Sequence, residues 1–281
     1  MRHKASVIVD ILRYSVFRLL KKLYPQKSLN LSWVVKMENR IAAITGGNSG
    51  IGLATTKLFI KKGYKVAIFA QNIESLKDIQ ATDPDNIYIY SGDVASISDL
   101  ECFYKKCFDQ WGRLDAVIAN AGIAKPENIE EVTESSFNET MNINVKGVFF
   151  TVQKALPYLN NNSSLVLVSS IQAQRGAGIW SVYGASKSAV RALTRSFAQE
   201  LGEKGIRVNT ISPGVTETPI FDKFGFGDNL PSILDSVKAS TPLGRIGEPD
   251  EIANAIFFLA SESASFITGS DLQVDGGLAQ I

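Results

Sequence analysis

The chain has 281 residues, 45% of them hydrophobic and 20% charged, which is typical of a globular protein that buries a sizeable core. Its formal net charge is +1, but residues 1–36 hold eight basic side chains against one acid, so the remainder is net acidic, which gives nucleic-acid binding no support. The single histidine, His3, excludes a histidine-based hydrolase and a His-ligated zinc site from the body of the chain. Only two cysteines occur, Cys102 and Cys107, which excludes a disulfide framework, and we expect no metal site.

The first predicted element is a basic amphipathic helix over residues 5–24, with apolar side chains on one face and Lys/Arg on the rest. No stretch reaches the roughly 18 apolar residues of a membrane-spanning helix, and Asp10 and Arg13 interrupt any signal-peptide core. We interpret residues 1–36 as an extension with four alternatives: weak contact with a membrane surface through residues 5–24, a mitochondrial presequence, a partner-binding helix, or a dispensable segment. We expect a cytoplasmic protein, with attachment at a membrane surface or a mitochondrial location as alternatives.

From Arg40 onward, short β-rich runs alternate with longer helical ones. Strands are predicted near residues 40–45, 64–70, 87–91, 114–120, 164–170, 206–212 and 270–274. Because these runs are apolar throughout, they favour a parallel sheet with helices on both faces, joined by right-handed crossovers. The sequence therefore predicts an α/β, Rossmann-type doubly wound fold of about seven strands, with residues 37–281 as a single domain.

A glycine-rich turn joins the first predicted strand to a helical run. Residues 45–52 read Thr-Gly-Gly-Asn-Ser-Gly-Ile-Gly. Glycines let the backbone approach a pyrophosphate, and the helix N-terminus offers free N–H groups to the anion. A flexible glycine-rich loop is the alternative, which the flanking strand and helix disfavour. We predict a dinucleotide site here, with contacts from Gly46, Asn48, Ser49, Gly50, Ile51 and Gly52.

Three polar residues form the second pattern. Ser170 ends the predicted strand 165–170, at the sheet edge where ligands bind in open α/β folds. Tyr183 and Lys187 lie four residues apart at the start of a helical run, so their side chains share one helix face. A phenol titrates near ~10, and a nearby cation such as Lys187 lets it exchange a proton closer to neutrality. Surface and turn positions are the alternative for each residue taken alone.

Both patterns resemble those of the short-chain dehydrogenase/reductase family, whose motifs are Thr-Gly-x-x-x-Gly-x-Gly and Ser with Tyr-x-x-x-Lys. The resemblance runs from about Glu38 to the end of the chain. It implies an oxidoreductase that transfers a hydride between NAD(P)(H) and a small-molecule carbonyl or alcohol substrate. By this resemblance Tyr183 is the general acid/base, Ser170 positions and polarises the carbonyl, and Lys187 lowers the pKa of the tyrosine and binds the nicotinamide ribose. The alternative is a catalytically silent dinucleotide-binding protein, regulatory or recruited to membranes.

Shorter matches extend the resemblance along the chain. Asn144, with Asn142 as the nearby alternative, would hold a water that links the lysine to solvent. The other matches are Asp93 and Val94 at the adenine, Asn120, Ala121 and Gly122 beside the cofactor, Pro213, Gly214, Val215, Thr216 and Thr218 at the nicotinamide, and the Asp-Gly-Gly signature at 275–277. For Asp93 the alternative is a cap of the helix that begins near Ser96. The family also implies a homodimer or homotetramer.

The end of the second predicted strand bears on cofactor choice. Family members that prefer NAD carry an acid there, which hydrogen-bonds the ribose 2′-hydroxyl and repels a 2′-phosphate. Ala70 takes the place of that acid, while Gln71 and Ser49 stand where NADP-type members often have basic residues. The sequence therefore favours NADP(H), with NAD(H) as the alternative.

A predicted lid over the substrate covers about residues 215–242. Its apolar side chains are Phe221, Phe224, Phe226, Leu230, Ile233 and Leu234. They suggest an apolar substrate face, with packing into the core as the alternative. We expect Arg175, Ile179 and Trp180 to line the same mouth.

Overall fold

The computed structural model describes residues 40–281, which belong to a compact unit running from Asn39 to Ile281. The helix predicted over residues 5–24 and the predicted boundary after residue 36 lie outside the described residues.

Seven parallel strands form one sheet in the order β3-β2-β1-β4-β5-β6-β7. The strands are β1 (Ile41–Thr45), β2 (Lys65–Ala70), β3 (Ile87–Ser91), β4 (Leu114–Ala119), β5 (Leu159–Val168), β6 (Arg207–Pro213) and β7 (Asp271–Val274). The chain winds from β1 to β3 in one direction, returns to β4 beside β1, and winds to β7 in the other. The predicted doubly wound sheet is confirmed, and the reversal between β1 and β4 is where such folds bind ligands.

The strands are apolar at successive positions because both faces of the sheet are covered. Ile44 is in register with Ile68 on β2 and Ile118 on β4, and all three belong to the core on one face. Its neighbour Ala43 is in register with Val117, and both face the opposite core. The central strands thus contribute alternate side chains to two separate cores.

Residues 40–281 contain eight α-helices, six of which pack against the sheet. They are α1 (Gly50–Lys61), α2 (Glu74–Thr82), α3 (Ile97–Trp111), α4 (Glu134–Met141), α5 (Val148–Ala155), α6 (Ser181–Leu201), α7 (Leu230–Ser240) and α8 (Pro249–Ala260). Buried side chains of α3, α5 and α6 pack in one core, and those of α1, α2 and α8 pack in the other. None of the helices in this part of the chain is long and apolar enough to cross a membrane.

Strand β5 differs from its prediction at both ends. It begins at Leu159, ahead of a polar Asn-Asn-Asn-Ser-Ser run that carries no strand signal, and the register with β4 shifts between Leu114 and Ala116. Asn162 has φ 64°, in the left-handed region, so the polar run is an irregular start to the strand. The strand ends at Val168, which leaves Ser170 in the following loop rather than on the strand.

A π-helix over Asn142–Gly147 joins α4 to α5. Such wide turns are rare and often occur at functional sites. Here the π-helix carries Asn144, one of the residues predicted for the site.

Candidate active site

A cavity of about 800 Å³ lies at the carboxyl ends of the strands. It is lined by the turns that follow β1 to β6, by the start of α6 and by residues of the 213–237 segment. Apart from Asn144, every predicted catalytic and cofactor-binding residue lines it: Gly46, Asn48, Ser49, Gly50, Ile51, Gly52, Gln71, Asp93, Val94, Asn120, Ala121, Gly122, Ser170, Tyr183, Lys187, Pro213, Gly214, Val215, Thr216 and Thr218. The fold therefore brings these separate motifs to one place.

The turn after β1 requires glycine because backbone segments approach it closely. A Cβ on Gly52 would lie 2.0 Å from the carbonyl oxygen of Gly46 and 2.5 Å from Nδ2 of Asn120. Gly46 has φ +66°, and a Cβ there would lie 2.9 Å from Cα of Ala121. Nδ2 of Asn120 donates to the carbonyls of Thr45 and Gly46, both at 3.1 Å. The segment after β4 thus fixes the shape of the turn.

The N-terminus of α1 opens into this cavity. Ser49 is its N-cap residue but makes no side-chain capping hydrogen bond, and the first turn has no acidic residue. Backbone N–H groups of the first turn are therefore free to bind an anion, with the positive end of the helix dipole behind them. This geometry suits a pyrophosphate.

Asp93 and Val94 line the cavity beyond β3. Oδ1 of Asp93 accepts a hydrogen bond from the N–H of Ala95 at 2.8 Å. The cap of α3 is Ser96, whose Oγ accepts from the N–H of Asp99. The alternative in which Asp93 caps this helix is therefore wrong, because Ser96 occupies the capping position.

Ser170 lies near Tyr183, and its side chain lowers the pKa of the Tyr183 phenol. Burial has the larger effect and raises that pKa above its ordinary value. Oγ of Ser170 also accepts from the N–H of Gln172 at 3.2 Å, which fixes the hydroxyl at the start of a short 3₁₀ turn. The phenol is thus protonated at neutral pH.

Lys187 is buried one helical turn beyond Tyr183 and lies 4% exposed. Burial lowers the pKa of its ammonium group to about 8. Nζ donates to the carbonyl of Val168 at 2.9 Å and lies 5.8 Å from the centroid of the Tyr183 ring. The lysine charge is therefore held between the end of β5 and the tyrosine.

We expect Lys187→Met to stabilise the free protein at pH 7. The folded-state pKa of about 8 lies below the ordinary lysine value of 10.5, so the buried charge costs about 3 kcal/mol below pH 8. This cost disappears as pH rises from about 8 to 10.5. Because the variant also leaves the Val168 carbonyl unpaired, we expect a net gain of about 1–2 kcal/mol in the free energy of unfolding, measured by urea denaturation.

The difference from wild type should shrink at pH 10. Lys57→Met, at an exposed position of α1, serves as the control and should change little. A variant Lys187→Met that is no more stable than wild type at pH 7 would contradict the assignment of a buried charge.

Asn144 is fully buried on the π-helix and does not line the cavity itself. Its Oδ1 accepts from the N–H of Ile123 at 2.9 Å, and its Nδ2 donates to the carbonyl of Ile123 at 2.8 Å and to Oγ of Ser186 at 3.0 Å. Oγ of Ser186 in turn donates to the carbonyl of Tyr183 at 2.7 Å. Asn144 therefore joins the segment after β4 to the first turns of α6.

Asn144 and Lys187 converge on the backbone of Gly122. A Cβ on this glycine would lie 3.1 Å from Oδ1 of Asn144 and 3.2 Å from Nζ of Lys187. Asn142, the alternative considered from the sequence, is exposed and lines a separate surface hollow. Of the two asparagines, Asn144 is the one beside the lysine.

Aromatic side chains form the wall opposite the cofactor turn. The rings of Tyr183 and Trp180 lie 5.6 Å apart between centroids, and those of Trp180 and Phe224 lie 5.2 Å apart. Phe221 and Phe226 each contact Phe224. The apolar lid residues named from the sequence all line the cavity: Phe221, Phe224, Phe226, Leu230, Ile233 and Leu234.

Ile179 and Trp180 line the cavity as expected, but Arg175 does not. Its Nη1 donates to the carbonyl of Leu278 at 3.1 Å, so the side chain is turned toward the C-terminal segment. The same segment contacts the turn after β6, since a Cβ on Gly214 would lie 2.7 Å from Cα of Asp275. The expectation for Arg175 is wrong because this carbonyl holds the guanidinium elsewhere.

Thr45, Ser169 and Gln172 are among the residues at or beside the site that were not singled out from the sequence. Oγ1 of Thr45 accepts from the N–H groups of Asn120 and Ala121, each at 3.1 Å. Oγ of Ser169 donates to the carbonyl of Lys187 at 2.8 Å. Gln172 lines the cavity beside Ser170. The signal for Thr45 was its place as the first residue of the glycine-rich motif, and the signal for Ser169 and Gln172 was their position beside Ser170. Neither signal by itself shows where a side chain points.

Comparison with known proteins gives consistent results. A family model described as enoyl-(acyl carrier protein) reductase matches residues 46–279. The chain is 35% identical over 250 residues to the 3-oxoacyl-[acyl-carrier-protein] reductase FabG of Thermotoga maritima, covering 87% of this chain and 99% of that protein. It is 37% identical over 253 residues to a 1,2-dihydroxy-1,2-dihydronaphthalene dehydrogenase of Pseudomonas putida, covering 85% and 97%.

A solved structure is similarly close. It is a short-chain dehydrogenase/reductase of Brucella melitensis described as a glucose/ribitol dehydrogenase, with a TM-score of 0.82 and 36% identity. The match covers 87% of this chain and 98% of that chain. The likeness therefore extends over nearly all the described residues.

Proposed function

The chain belongs to the short-chain dehydrogenase/reductase family and is an NAD(P)-dependent oxidoreductase that acts on carbonyl or CH–OH groups, and we propose that Ser170, Tyr183 and Lys187 carry its hydride-transfer reaction. The observation that supports this most strongly is that Ser170, Tyr183 and Lys187 line the same cavity as the cofactor turn. Intact site residues also disfavour the catalytically silent alternative.

The residues of the turn fit a dinucleotide. The backbone around Gly52 leaves no room for a side chain, and the uncapped N-terminus of α1 faces the same space. In the proposed site this turn binds the pyrophosphate, Asp93 and Val94 contact the adenine, and the 213–218 segment contacts the nicotinamide. When bound, the nicotinamide supplies or accepts the hydride.

The protein side chains transfer the proton to and from the substrate oxygen. Ser170 and Tyr183 would both hydrogen-bond the substrate oxygen. Because burial keeps the Tyr183 phenol protonated, it can donate its proton to the oxygen of a carbonyl as that oxygen gains negative charge. The Lys187 ammonium then stabilises the phenolate that remains. In the oxidation direction the phenolate accepts the proton from the alcohol.

Asn144 is proposed to support this transfer indirectly. Its amide already makes three hydrogen bonds, and its Oδ1 still has a lone pair beside Gly122 and Lys187. A water held there would connect the lysine to solvent. In this proposal Asn144 positions the water beside Lys187 and does not touch the substrate.

We propose NADP(H) as the preferred cofactor, with NAD(H) as the alternative. The second strand ends in Ala70, which lines the cavity, and the exposed Gln71 follows it. Neither side chain carries a negative charge, so nothing at these positions repels a 2′-phosphate. Gln71 and Ser49 offer hydrogen bonds in place of a basic side chain.

A panel of ketones and alcohols, read by the absorbance of the reduced nicotinamide with both cofactors, tests function and cofactor together. We expect kcat/KM to be about tenfold higher with NADPH than with NADH. Ala70→Asp should reverse this preference, because the new carboxylate repels the phosphate, and Gln71→Arg should strengthen it. A wild-type protein that prefers NADH would overturn the cofactor proposal, and absence of turnover throughout the panel would count against the catalytic one.

We propose a neutral or anionic, largely apolar substrate. Among residues 40–281, Asp93 is the only carboxylate that lines the cavity, and it lies at the adenine end. The wall near Tyr183 is built from Trp180, Phe224 and neighbouring aliphatic side chains. Burial of an apolar group against this wall would be favourable by about 25 cal/mol per Å².

Three assignments rest on the sequence and the family alone. They are assembly as a homodimer or homotetramer, a cytoplasmic location, and membrane contact through residues 5–24. The last concerns residues outside the described part of the chain.

A further inference from the structure

Gln172 is a polar side chain at the substrate end of the cavity that the proposed chemistry does not use. It lies two residues beyond Ser170 and lines the cavity. Its backbone N–H donates to Oγ of Ser170 at 3.2 Å, so its position relative to the proposed catalytic hydroxyl is fixed. A Cβ on Gly184 would lie 2.8 Å from its carbonyl oxygen, which shows how closely α6 holds the same residue from the other side.

The side-chain amide of Gln172 is incompletely paired. Its Oε1 is buried and has no hydrogen-bond partner in the described part of the chain. By contrast, Nε2 of the nearby Gln174 donates to Oδ2 of Asp271 at 3.1 Å, outside the cavity. A buried acceptor without a donor destabilises the folded state, so such groups in native proteins call for an explanation.

A ligand hydroxyl supplies the missing donor. The terminal torsion of a glutamine has a broad energy minimum, so the amide can turn toward the cavity while its backbone stays fixed. The reacting oxygen of the substrate is proposed to lie on Ser170 and Tyr183. An acceptor on Gln172 would then meet a second oxygen only one or two carbons away from the reacting carbon.

We propose that Gln172 determines specificity by accepting a hydrogen bond from a second hydroxyl of the substrate. The substrate class is then an apolar hydroxy ketone, or the corresponding diol in the oxidation direction. This inference rests on the proposed function, because it takes the Ser170–Tyr183 pair as the place of the reacting oxygen. The apolar body of the substrate lies against Trp180 and Phe224.

The test compares 1-tetralone with 2-hydroxy-1-tetralone, which differ by one hydroxyl beside the carbonyl. The quantity measured is the ratio of kcat/KM for the hydroxy ketone to that for the plain ketone. We expect Gln172→Met, which keeps the side-chain length but removes the acceptor, to lower this ratio at least tenfold while the plain ketone is still reduced. Gln172→Glu keeps an acceptor and should keep most of the ratio, and Gln174→Met is the matched control outside the cavity.

A ratio that stays within twofold of wild type in Gln172→Met would overturn the inference. Binding of the same two ketones, followed by tryptophan fluorescence in the Tyr183→Phe background with the cofactor present, gives a second ratio that does not need turnover. If that ratio depends on Gln172 while no ketone is reduced by the wild-type protein, the binding inference holds and the catalytic proposal fails. If binding shows no preference for the hydroxy ketone, the inference itself fails.

Discussion

Replacing Tyr183 by Phe should lower kcat for carbonyl reduction by about 10²–10⁴-fold, the usual contribution of a positioned general acid. The variant loses only the phenolic oxygen, so the ring contact with Trp180 at 5.6 Å and the aromatic wall are kept. The dissociation constant for NADPH, measured by fluorescence titration, should therefore change less than about threefold. The large effect should lie in turnover alone.

The matched control is Tyr158→Phe, which removes a phenol outside the cavity. It should leave both constants unchanged. Equal turnover by Tyr183→Phe and wild type would remove Tyr183 from the mechanism, whatever the effect on binding.

Replacing Gly52 by Ala should weaken NADPH binding by about 100-fold or more. The added Cβ would lie 2.0 Å from the carbonyl oxygen of Gly46, which is backbone and cannot swing away. The turn and the start of α1 must shift together, and the N–H groups that face the phosphates then lose their alignment. We also expect a lower melting temperature, because Asn120 contacts the same turn.

Gly202→Ala is the control for this variant, since a Cβ on Gly202 meets nothing within 4 Å. Both variants should be compared by NADPH titration and by thermal unfolding. An unchanged dissociation constant in Gly52→Ala would show that the turn does not hold the phosphates.

The fold was predictable from the sequence because it depends on patterns that the chain shows locally. Runs such as Ile41–Thr45 are apolar throughout, and a strand buried on both faces needs this composition. The start of β5 was missed because Leu159 is followed by five polar residues, whose pairing with β4 is decided by tertiary contacts.

The site was predictable as a set of residues and less so as a set of interactions. Motif spacing led to Ser170, Tyr183 and Lys187, but it could not show that burial, rather than the lysine, has the largest effect on the pKa of the tyrosine. Arg175 was misplaced because its partner, the carbonyl of Leu278, lies 103 positions away in the chain. Gln172 was overlooked because only the structure shows an acceptor without a donor.

The contacts of the C-terminal segment bear on how the protein should be prepared. Leu278 is held by Arg175 from the loop after Ser170, and Asp275 packs against Gly214 from the turn after β6. The last residues thus tie together two loops on either side of the reaction centre, and Ile281 itself is 95% exposed. Because the contacts come from Asp275 and Leu278 and not from the exposed Ile281, truncation before Asp275 would release both loops, so kinetic work needs this segment intact.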